Sequence, residues 1–316
     1  MDAERLSELI EPLFATPPSA THGETLALLA VHRGRLVLER YADGHGPEDS
    51  FRSWSMAKSM VHALVGVLVA RGALDLQAPA PVPEWRGAGD PRGAITLEHL
   101  LRMLDGLDFF EAYVPGGRRS NVLEMLFQDG KDDVAAYAAA LPLAHPPGSV
   151  WNYSSGTSNI VASAVGRAVG GGRDGMLAFM RSVLFQPLGM RSAAPRFDAA
   201  GTFIGSSYCF ATARDFARFG LLYLRDGVWE GSRLLPEGWV DHARTPTPAS
   251  SGWYGAHWWL ALDDSGRFSA NGYEGQYIVV DPRRDLVLVR LGVSSIEQRA
   301  HVLRRLRGVV ETFPAR

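Results

Sequence analysis

The chain has 316 residues, of which 46% are hydrophobic and 21% are charged, and its formal net charge is −2. This composition is typical of a globular chain that buries a large core, and the near-neutral charge excludes nucleic acid or an anionic membrane surface as a partner held by charge. Cys209 is the single cysteine, which excludes an intramolecular disulfide and a cysteine-ligated metal site.

The first segments of the chain predict a hairpin and a buried helix. Residues 1–14 are amphipathic and acidic and lack the basic start and apolar run of a secretory signal, so we expect a cytoplasmic protein. Residues 25–41 contain two β-rich runs around a His-Arg-Gly turn, which predicts an antiparallel hairpin. Residues 55–74 predict a helix that is apolar nearly all round and therefore buried on most sides. Its most apolar stretch, 60–70, is too short to cross a bilayer.

Helical periodicity dominates the middle of the chain, and strand patterns return near its end. In the segment ITLEHLLRMLDGL, Thr96 is the expected N-cap of a helix and Gly106 the expected C-cap. The spacing of Thr212 and Asp215 matches a capping box. Further helices are predicted at 122–128, 133–140, 158–169, 175–185, 212–225 and 296–312, and strands at 258–262, 277–281 and 286–291.

These elements predict an α+β fold, because the two ends of the chain form strands and the middle forms helices. We expect an antiparallel sheet from N- and C-terminal strands, flanked by the terminal helices, with a helical lobe inserted between the strands. The expected catalytic domain spans 20–312, with its sheet part at about 20–75 and 245–316 and its helical lobe at about 76–244. The sequence carries no signal for an oligomeric state.

Ser55 and Lys58 form the strongest candidate for chemistry. They lie three residues apart at the start of the buried helix, so both are on one face, with the serine at the positive end of the helix dipole. That position favours a serine alkoxide, and burial favours a neutral, proton-accepting amine. The alternative is an N-cap serine beside an unrelated lysine, which leaves a costly charge in an apolar helix.

The lysine content of the chain points to the same residue. Of the 32 basic residues, 30 are Arg and two are Lys. Arginine stays protonated in proteins, whereas a buried lysine amine can lose its proton. Lys131 lies in an acidic turn (DGKDD), where Arg would serve as well, while Lys58 lies in an apolar helix.

A second candidate is Tyr153, which stands in a loop rich in Gly, Pro and Ser just before a predicted helix. A phenol near a lysine ammonium has a lowered pKa and can shuttle protons. Taken alone, a packing role at the loop corner is the better interpretation.

A third candidate is the segment Asn271-Gly272-Tyr273, immediately before the strand at 277–281. Its glycines would let a substrate approach the backbone, and a backbone N–H there could complete an oxyanion hole with that of Ser55. The alternative is a plain hairpin turn.

Together the three motifs resemble the serine β-lactamase and penicillin-binding-protein-like superfamily, most closely its branch of class C β-lactamases, esterases and 6-aminohexanoate-dimer hydrolases. The resemblance extends over 26–290 and includes the segments PPGSVWNYSSG, FQPLGM and TARDFARFGLLYLRDG. It implies a β-lactamase/D,D-peptidase-like fold.

The resemblance also implies roles for individual residues. Ser55 is the expected acyl-forming nucleophile, Lys58 its proton-accepting partner and Tyr153 the proton relay to the leaving group. The backbone N–H groups of Ser55 and Tyr273 are the expected oxyanion donors. Ser155, Asn271, Gly272 and Trp258 are the candidates for substrate binding, and no cofactor or metal is expected.

Two departures from the family pattern favour a small ester or linear amide over a β-lactam as substrate. The Tyr-x-Asn motif is here Tyr153-Ser154-Ser155, and the Lys/His-Thr-Gly motif is Ala270-Asn271-Gly272. In penicillin-recognising members the cation helps to hold a carboxylate, and Ala270 supplies no charge. The alternatives are a β-lactamase or D,D-peptidase, and a catalytically silent protein that binds peptidoglycan fragments.

Two further features are weaker. Trp258 and Trp259 could line an apolar cleft, but neighbouring residues of a strand face opposite ways, so we expect at least one in the core. For Asp105, Asp108 and Glu111 we favour solvated loop positions over a role at the mouth of a cleft.

Overall fold

The structure, a computed structural model, describes residues 3–113, 119–263 and 265–315. Its strands are β1 (Glu24–His32), β2 (Arg35–Tyr41), β3 (Phe51–Arg52), β4 (Ala194–Pro195), β5 (Cys209–Ala211), β6 (Val228–Trp229), β7 (Ser232–Arg233), β8 (Trp259–Leu260), β9 (Phe268–Gly272), β10 (Gln276–Asp281) and β11 (Leu286–Val293). Its helices are α1 (Ala3–Ile10), α2 (Met56–Ala70), α3 (Leu97–Leu101), α4 (Asn121–Phe127), α5 (Val134–Ala139), α6 (Ser155–Val169), α7 (Gly172–Met180), α8 (Gln186–Leu188), α9 (Ala213–Leu224), α10 (Trp239–Arg244) and α11 (Ile296–Glu311).

The main sheet is antiparallel and joins both ends of the chain, as the sequence predicts. Its strand order is β2-β1-β11-β10-β9-β8. The β1–β2 hairpin turns at Arg33 (φ 52°) and Gly34 (φ 74°), the pair of left-handed residues that a two-residue hairpin loop requires. The helices α3 to α10 come between β3 and β8 in the chain, so the α+β arrangement is confirmed.

Alternation along β1 divides the hydrophobic core into two layers. Leu28 and Ala30 pack in the cluster formed with α1 and α11, while Leu29 and Val31 pack in the larger cluster formed with α2 and α9. The sheet is therefore covered on both faces. Among the described residues, no helix is both long enough and apolar enough to cross a bilayer.

Helix α2 is buried from Met56 to Leu68, which confirms the prediction from its apolar pattern. It ends at Ala70 instead of 74, because Gly72 (φ 69°) adopts the left-handed conformation, and the amides of Gly72 and Ala73 donate to the carbonyls of Val69 and Leu68 respectively. This helix carries Lys58 into the interior behind Ser55.

Two other helix ends differ from the prediction. Thr96 caps α3 as expected, but the helix ends at Leu101, because Met103 (φ 59°) takes the left-handed position predicted for Gly106. Helix α6 begins at Ser155, three residues early, because the Ser154 hydroxyl accepts a hydrogen bond from the Thr157 amide. The second difference matters for the site, since it places Ser155 in the first turn of a helix.

The segment immediately before the predicted strand at 277–281 is itself partly a strand. Ala270, Asn271 and Gly272 belong to β9, and the chain reverses at Tyr273–Gly275 before entering β10. The hairpin interpretation of this segment is therefore correct, and its turn projects from the end of the sheet nearest Ser55.

Candidate active site

Ser55 lies at the N-terminus of α2, directly after a strained residue. Trp54 has φ 45°, in the left-handed region that side chains other than glycine rarely adopt. The segment is fixed from behind, because the Ser53 hydroxyl donates to the Ser207 carbonyl at 3.3 Å and accepts from the Cys209 amide at 3.0 Å. The strain at Trp54 thus presents Ser55 toward the pocket.

Lys58 is buried, with 1% of its surface exposed, and its amine contacts only neutral groups. Its Nζ lies 3.0 Å from Ser55 Oγ, 3.0 Å from Ser155 Oγ and 2.9 Å from the Ser206 carbonyl oxygen. Burial lowers the pKa of Lys58 to about 8, against the opposing effect of the Glu111 carboxylate. The geometry gives Ser55 a titratable amine within direct hydrogen-bonding distance.

Tyr153 completes the contact with Ser55 from the other side. Its phenol interacts with the Ser55 side chain, and Lys58 Nζ lies 4.9 Å from the centre of its ring. Contrary to the expectation of a lowered value, burial and the charge of Glu111 raise the pKa of Tyr153. A protonated phenol is suited to donate a proton, whereas a resting phenolate would have to accept one first.

Glu111 is a site residue that the sequence analysis placed among solvated loop acids. Its carboxylate accepts hydrogen bonds from the Ser155 amide at 2.7 Å, the Ser155 hydroxyl at 3.1 Å and the Tyr113 hydroxyl at 2.5 Å. Ser155 therefore stands between the Lys58 amine and the Glu111 carboxylate. Asp105, one of the acids grouped with Glu111 in the sequence analysis, is buried and accepts a hydrogen bond from the Thr157 hydroxyl at 2.6 Å, which is a structural role.

The segment that follows β9 packs directly against the segment that carries Ser55. A Cβ atom at Gly272 would lie 2.5 Å from the Ser53 carbonyl oxygen, so only glycine allows this approach. Trp54 Nε1 donates to Glu274 at 2.9 Å, and the Trp54 ring meets the Tyr273 ring edge-on at 5.4 Å. Ser55 and Tyr273 consequently line the same cavity.

A fully buried arginine holds the turn at Tyr273–Gly275 in place. Arg290 is 0% exposed, and its guanidinium donates to the carbonyls of Glu274 at 3.1 Å and Gly275 at 2.8 Å. Gln276 adds a hydrogen bond to the Tyr273 carbonyl at 3.0 Å. These bonds fix the turn through its carbonyl groups and leave the pocket-facing side open to a ligand.

The pocket itself has a volume of about 220 Å³ and contains one cation that the sequence analysis missed. Arg299, on α11, lines the pocket with its guanidinium carbon 5.5 Å from the centre of the Tyr273 ring. The lining residues are Ser55, Glu111, Tyr113, Tyr153, Trp259, Asn271, Gly272, Tyr273, Tyr277, Arg299 and Leu303. Ser155, predicted to bind substrate, is instead fully buried and does not line the pocket; its hydroxyl accepts a hydrogen bond from Lys58 and donates one to Glu111.

Trp258, predicted to bind substrate, is instead a core residue. It is 0% exposed and packs against Tyr223 at 4.4 Å and Phe268 at 5.1 Å between ring centres. Its neighbour Trp259 lines the pocket, 5.2 Å from the Tyr153 ring. Trp258 precedes β8 and Trp259 begins it, and these neighbouring side chains lie in different environments, the core and the pocket.

In the described part of the chain, neither the cysteine nor the acidic and histidine side chains gather into a metal-binding group. Within the described ranges, no three His, Cys, Asp or Glu side chains come close enough together to hold a metal ion. Cys209 is buried, and burial raises the pKa of its thiol to about 12, so it packs as a small apolar residue.

Comparison with known proteins places this geometry in context. Residues 10–308 match the family model described as Beta-lactamase. The chain is 28% identical over 291 residues to the 6-aminohexanoate-dimer hydrolase of Paenarthrobacter ureafaciens, which covers 84% of this chain and 72% of that protein. It is 33% identical over 184 residues to esterase EstB of Burkholderia gladioli, which covers 54% of this chain and 44% of the esterase.

Solved structures show the same fold. A provisionally named 6-aminohexanoate-dimer hydrolase from Bacillus anthracis superimposes with a TM-score of 0.81 at 24% identity, covering 98% of this chain and 83% of that chain. At this identity the likeness shows the fold alone.

Proposed function

Because this chain belongs to the beta-lactamase family, we propose that Ser55 is the nucleophile with which it cleaves small esters or linear amides. The chain is a serine hydrolase of that family, and this membership confirms the resemblance found in its motifs. One relative is named for hydrolysis of a 6-aminohexanoate dimer and another as an esterase. The observation that carries the proposal is the 3.0 Å contact between Ser55 Oγ and the buried amine of Lys58.

In the proposed acylation step, Ser55 Oγ forms a bond to the substrate carbonyl carbon. Its proton passes to the neutral amine of Lys58, with Tyr153 in contact with the same hydroxyl. The backbone N–H groups of Ser55 and Tyr273 would stabilise the negative charge that develops on the carbonyl oxygen. Lys58 becomes cationic in this step, and the Glu111 carboxylate offsets part of that charge.

In the second step the bond to the leaving group breaks. Tyr153 donates its proton to the departing alcohol or amine and is reprotonated from Lys58, which restores the neutral amine. Water then attacks the acyl-Ser55 carbonyl carbon and gives up one proton to the neutral amine of Lys58. The bond to Ser55 Oγ breaks, and the serine recovers its hydroxyl proton.

The test compares wild type with Ser55→Ala on p-nitrophenyl acetate and a linear N-alkyl amide. Intact-mass measurement should detect an acyl adduct on wild type and none on Ser55→Ala. Ser232→Ala, a change at an exposed serine on β7, is the matched control and should form the adduct normally. Normal turnover by Ser55→Ala would refute the assignment, and the absence of any adduct on wild type would favour a silent binding protein.

A β-lactam is the second candidate substrate, and Arg299 is the observation that favours it. Ala270 supplies no charge and is only 1% exposed, but Arg299 places a guanidinium in the same pocket from α11. A guanidinium can hold a substrate carboxylate. Nitrocefin hydrolysis, measured beside the ester and amide assays, separates the two candidates.

The proposed partner is a small molecule in a cytoplasmic setting. The cavity of about 220 Å³ beside Ser55 has room for a small ester or amide group. The cytoplasmic location is part of this proposal, and fractionation of the native host cells tests it.

A further inference from the structure

A second cavity, larger than the first, opens beside the pocket of Ser55. This apolar groove, of about 530 Å³, runs between β8, β9 and α11. Its walls include Trp253, Trp259, Leu260, Leu262, Leu303 and Leu306. The reaction steps proposed above assign no role to these side chains.

The rim of the apolar groove exposes large apolar side chains to water. Trp253 is 53% exposed, Leu262 65% and Leu303 40%. Single exposed apolar residues are common on protein surfaces, but several that line one concave surface mark a place where a ligand or partner binds. These exposed apolar side chains therefore form one continuous surface along the groove.

The groove is continuous with the catalytic pocket, so we expect its occupant to be part of the substrate bound at Ser55. Trp259, Asn271 and Leu303 line both cavities, so a molecule bound at Ser55 can extend along the groove without leaving the protein surface. Asn271 also keeps its buried Oδ1 without a hydrogen-bond partner at this junction. Rotation of the Asn271 amide toward the pocket would offer this oxygen to a donor on a substrate, such as an amide N–H.

The far end of the groove is closed by ion pairs. Arg307 lies 3.2 Å from Asp263, and Arg267 lies 3.6 Å from the same carboxylate. An apolar chain would gain nothing by reaching beyond this point, so the groove limits the length of chain that it stabilises.

We propose that the apolar groove is a substrate subsite. It would hold an unbranched aliphatic chain of medium length that is attached to the scissile carbonyl group. The inference rests on the proposed function of Ser55 and specifies its substrate class. The chain belongs either to the acyl part or to the leaving group, and both present the same methylene surface. Each methylene that the groove buries contributes roughly 0.8 kcal/mol, or about fourfold in kcat/KM.

The experiment uses two series of esters on the full chain. One series lengthens the acyl group of p-nitrophenyl esters from acetate to dodecanoate, and the other lengthens the alcohol of alkyl acetates. We expect kcat/KM to rise at least tenfold between two and eight carbons in one series and to level off or fall beyond it. The series that responds identifies the side of the substrate that the groove holds.

Variants at the exposed rim test the position of the subsite. Leu262→Gln and Trp253→Gln should reduce kcat/KM for the octanoate or octyl ester about tenfold and leave the acetate and ethyl esters within about twofold. Leu36→Gln is the matched control, because Leu36 is 45% exposed on β2 at the opposite edge of the sheet. A chain-length response that is equal in wild type and in both rim variants overturns the proposal.

A binding measurement separates failure of the groove from failure of the proposed function. Calorimetric titration of octanamide into Ser55→Ala should show binding that Leu262→Gln weakens about tenfold in the same background. If wild type hydrolyses no ester but this binding is present, the catalytic proposal fails and the subsite stands. If acetate esters are hydrolysed without a chain-length response, or sedimentation shows a dimer that Leu262→Gln dissociates, the groove is not a substrate subsite.

Discussion

The indole of Trp54 donates a 2.9 Å hydrogen bond to the carboxylate of Glu274, and this bond joins the two backbone segments that flank the pocket. Trp54 precedes Ser55, and Glu274 follows Tyr273, so each partner is next to one of the proposed oxyanion donors. Both residues have positive φ, 45° and 61°, which makes the two backbones depend on their surroundings for support. The hydrogen bond fixes the spacing between the donors.

Removal of this bond should slow the chemical step more than it weakens substrate binding. Loss of a complete oxyanion donor costs about a hundredfold or more in kcat, so a loosened pair should cost about tenfold. We expect Glu274→Ala and Trp54→Phe each to lower kcat by about that factor with KM changed less than threefold. Glu274→Gln keeps an acceptor for the indole and should recover most of the activity.

A double variant supplies the control for that prediction. Trp54→Phe combined with Glu274→Ala should be no slower than either single variant, because both remove the same contact. Fully additive losses in kcat would show that the two side chains act independently of each other.

The pH dependence of ester hydrolysis should report the state of Lys58. Burial lowers the pKa of this amine to about 8, and the proposed mechanism needs its neutral form. We therefore expect kcat/KM to rise with pH and reach a plateau above an apparent pKa of about 8. Lys58→Arg should lose at least a thousandfold across the whole range, because guanidinium does not deprotonate.

Glu111 should tune that profile through its charge. The carboxylate opposes the effect of burial on Lys58, so its removal leaves the ammonium form less stabilised. Glu111→Gln should shift the apparent pKa of kcat/KM downward, which a purely structural role would not do. Glu11→Gln, at an exposed ion pair with Arg40, is the control and should leave the profile unchanged. An upward shift would contradict the electrostatic role.

The parts of the fold that local pattern determines were predictable from the sequence. The β1–β2 hairpin and the buried helix α2 follow from alternation and apolar content, which depend on neighbours in the chain. The Ser55–Lys58 contact also depends on helical spacing alone, and the structure gives it a length of 3.0 Å.

Contacts between distant segments were not predictable in this way. Glu111 reaches Ser155 across 44 positions of sequence, and Arg299 reaches the pocket from the last helix, so no spacing rule connects them to Ser55. Helix α3 ends early because Met103 accepts a left-handed conformation that the sequence pattern assigned to Gly106. Tertiary packing decided each of these outcomes.

Tertiary packing also decides that Trp258 lies in the core and Trp259 in the pocket, and this assignment can be tested. Trp258 lies between His257, whose φ is 56°, and the two-residue strand β8, which begins at Trp259. Because the backbone is irregular here, strand alternation alone could not show which of the two indoles faces the core. Trp258→Leu should lower the free energy of unfolding by about 2–4 kcal/mol and leave kcat/KM within about twofold. Trp259→Leu should do the reverse, with reduced kcat/KM and a smaller loss of stability in urea denaturation.

The buried amine of Lys58 should also cost the protein stability. The pKa falls from 10.5 to about 8 in the folded state, which corresponds to about 3 kcal/mol at pH 7. Lys58→Met fills the same space without a charge, although it leaves the hydroxyls of Ser55 and Ser155 with fewer partners. We expect this variant to be inactive and to have a free energy of unfolding about 1–2 kcal/mol above that of wild type at pH 7.

The pH dependence of this difference is the decisive measurement. Because the folded-state pKa of Lys58 is below the unfolded-state value, folding releases a proton between about pH 8 and pH 10.5, and wild-type stability rises with pH across that window. Lys58→Met lacks that contribution, so its advantage in urea denaturation should shrink as the pH rises from 8 to 10.5. If the stability of Lys58→Met exceeds that of wild type by the same amount at every pH, the difference arises from packing. If Lys58→Met is never more stable than wild type, the three neutral contacts of the amine offset the full cost of its burial.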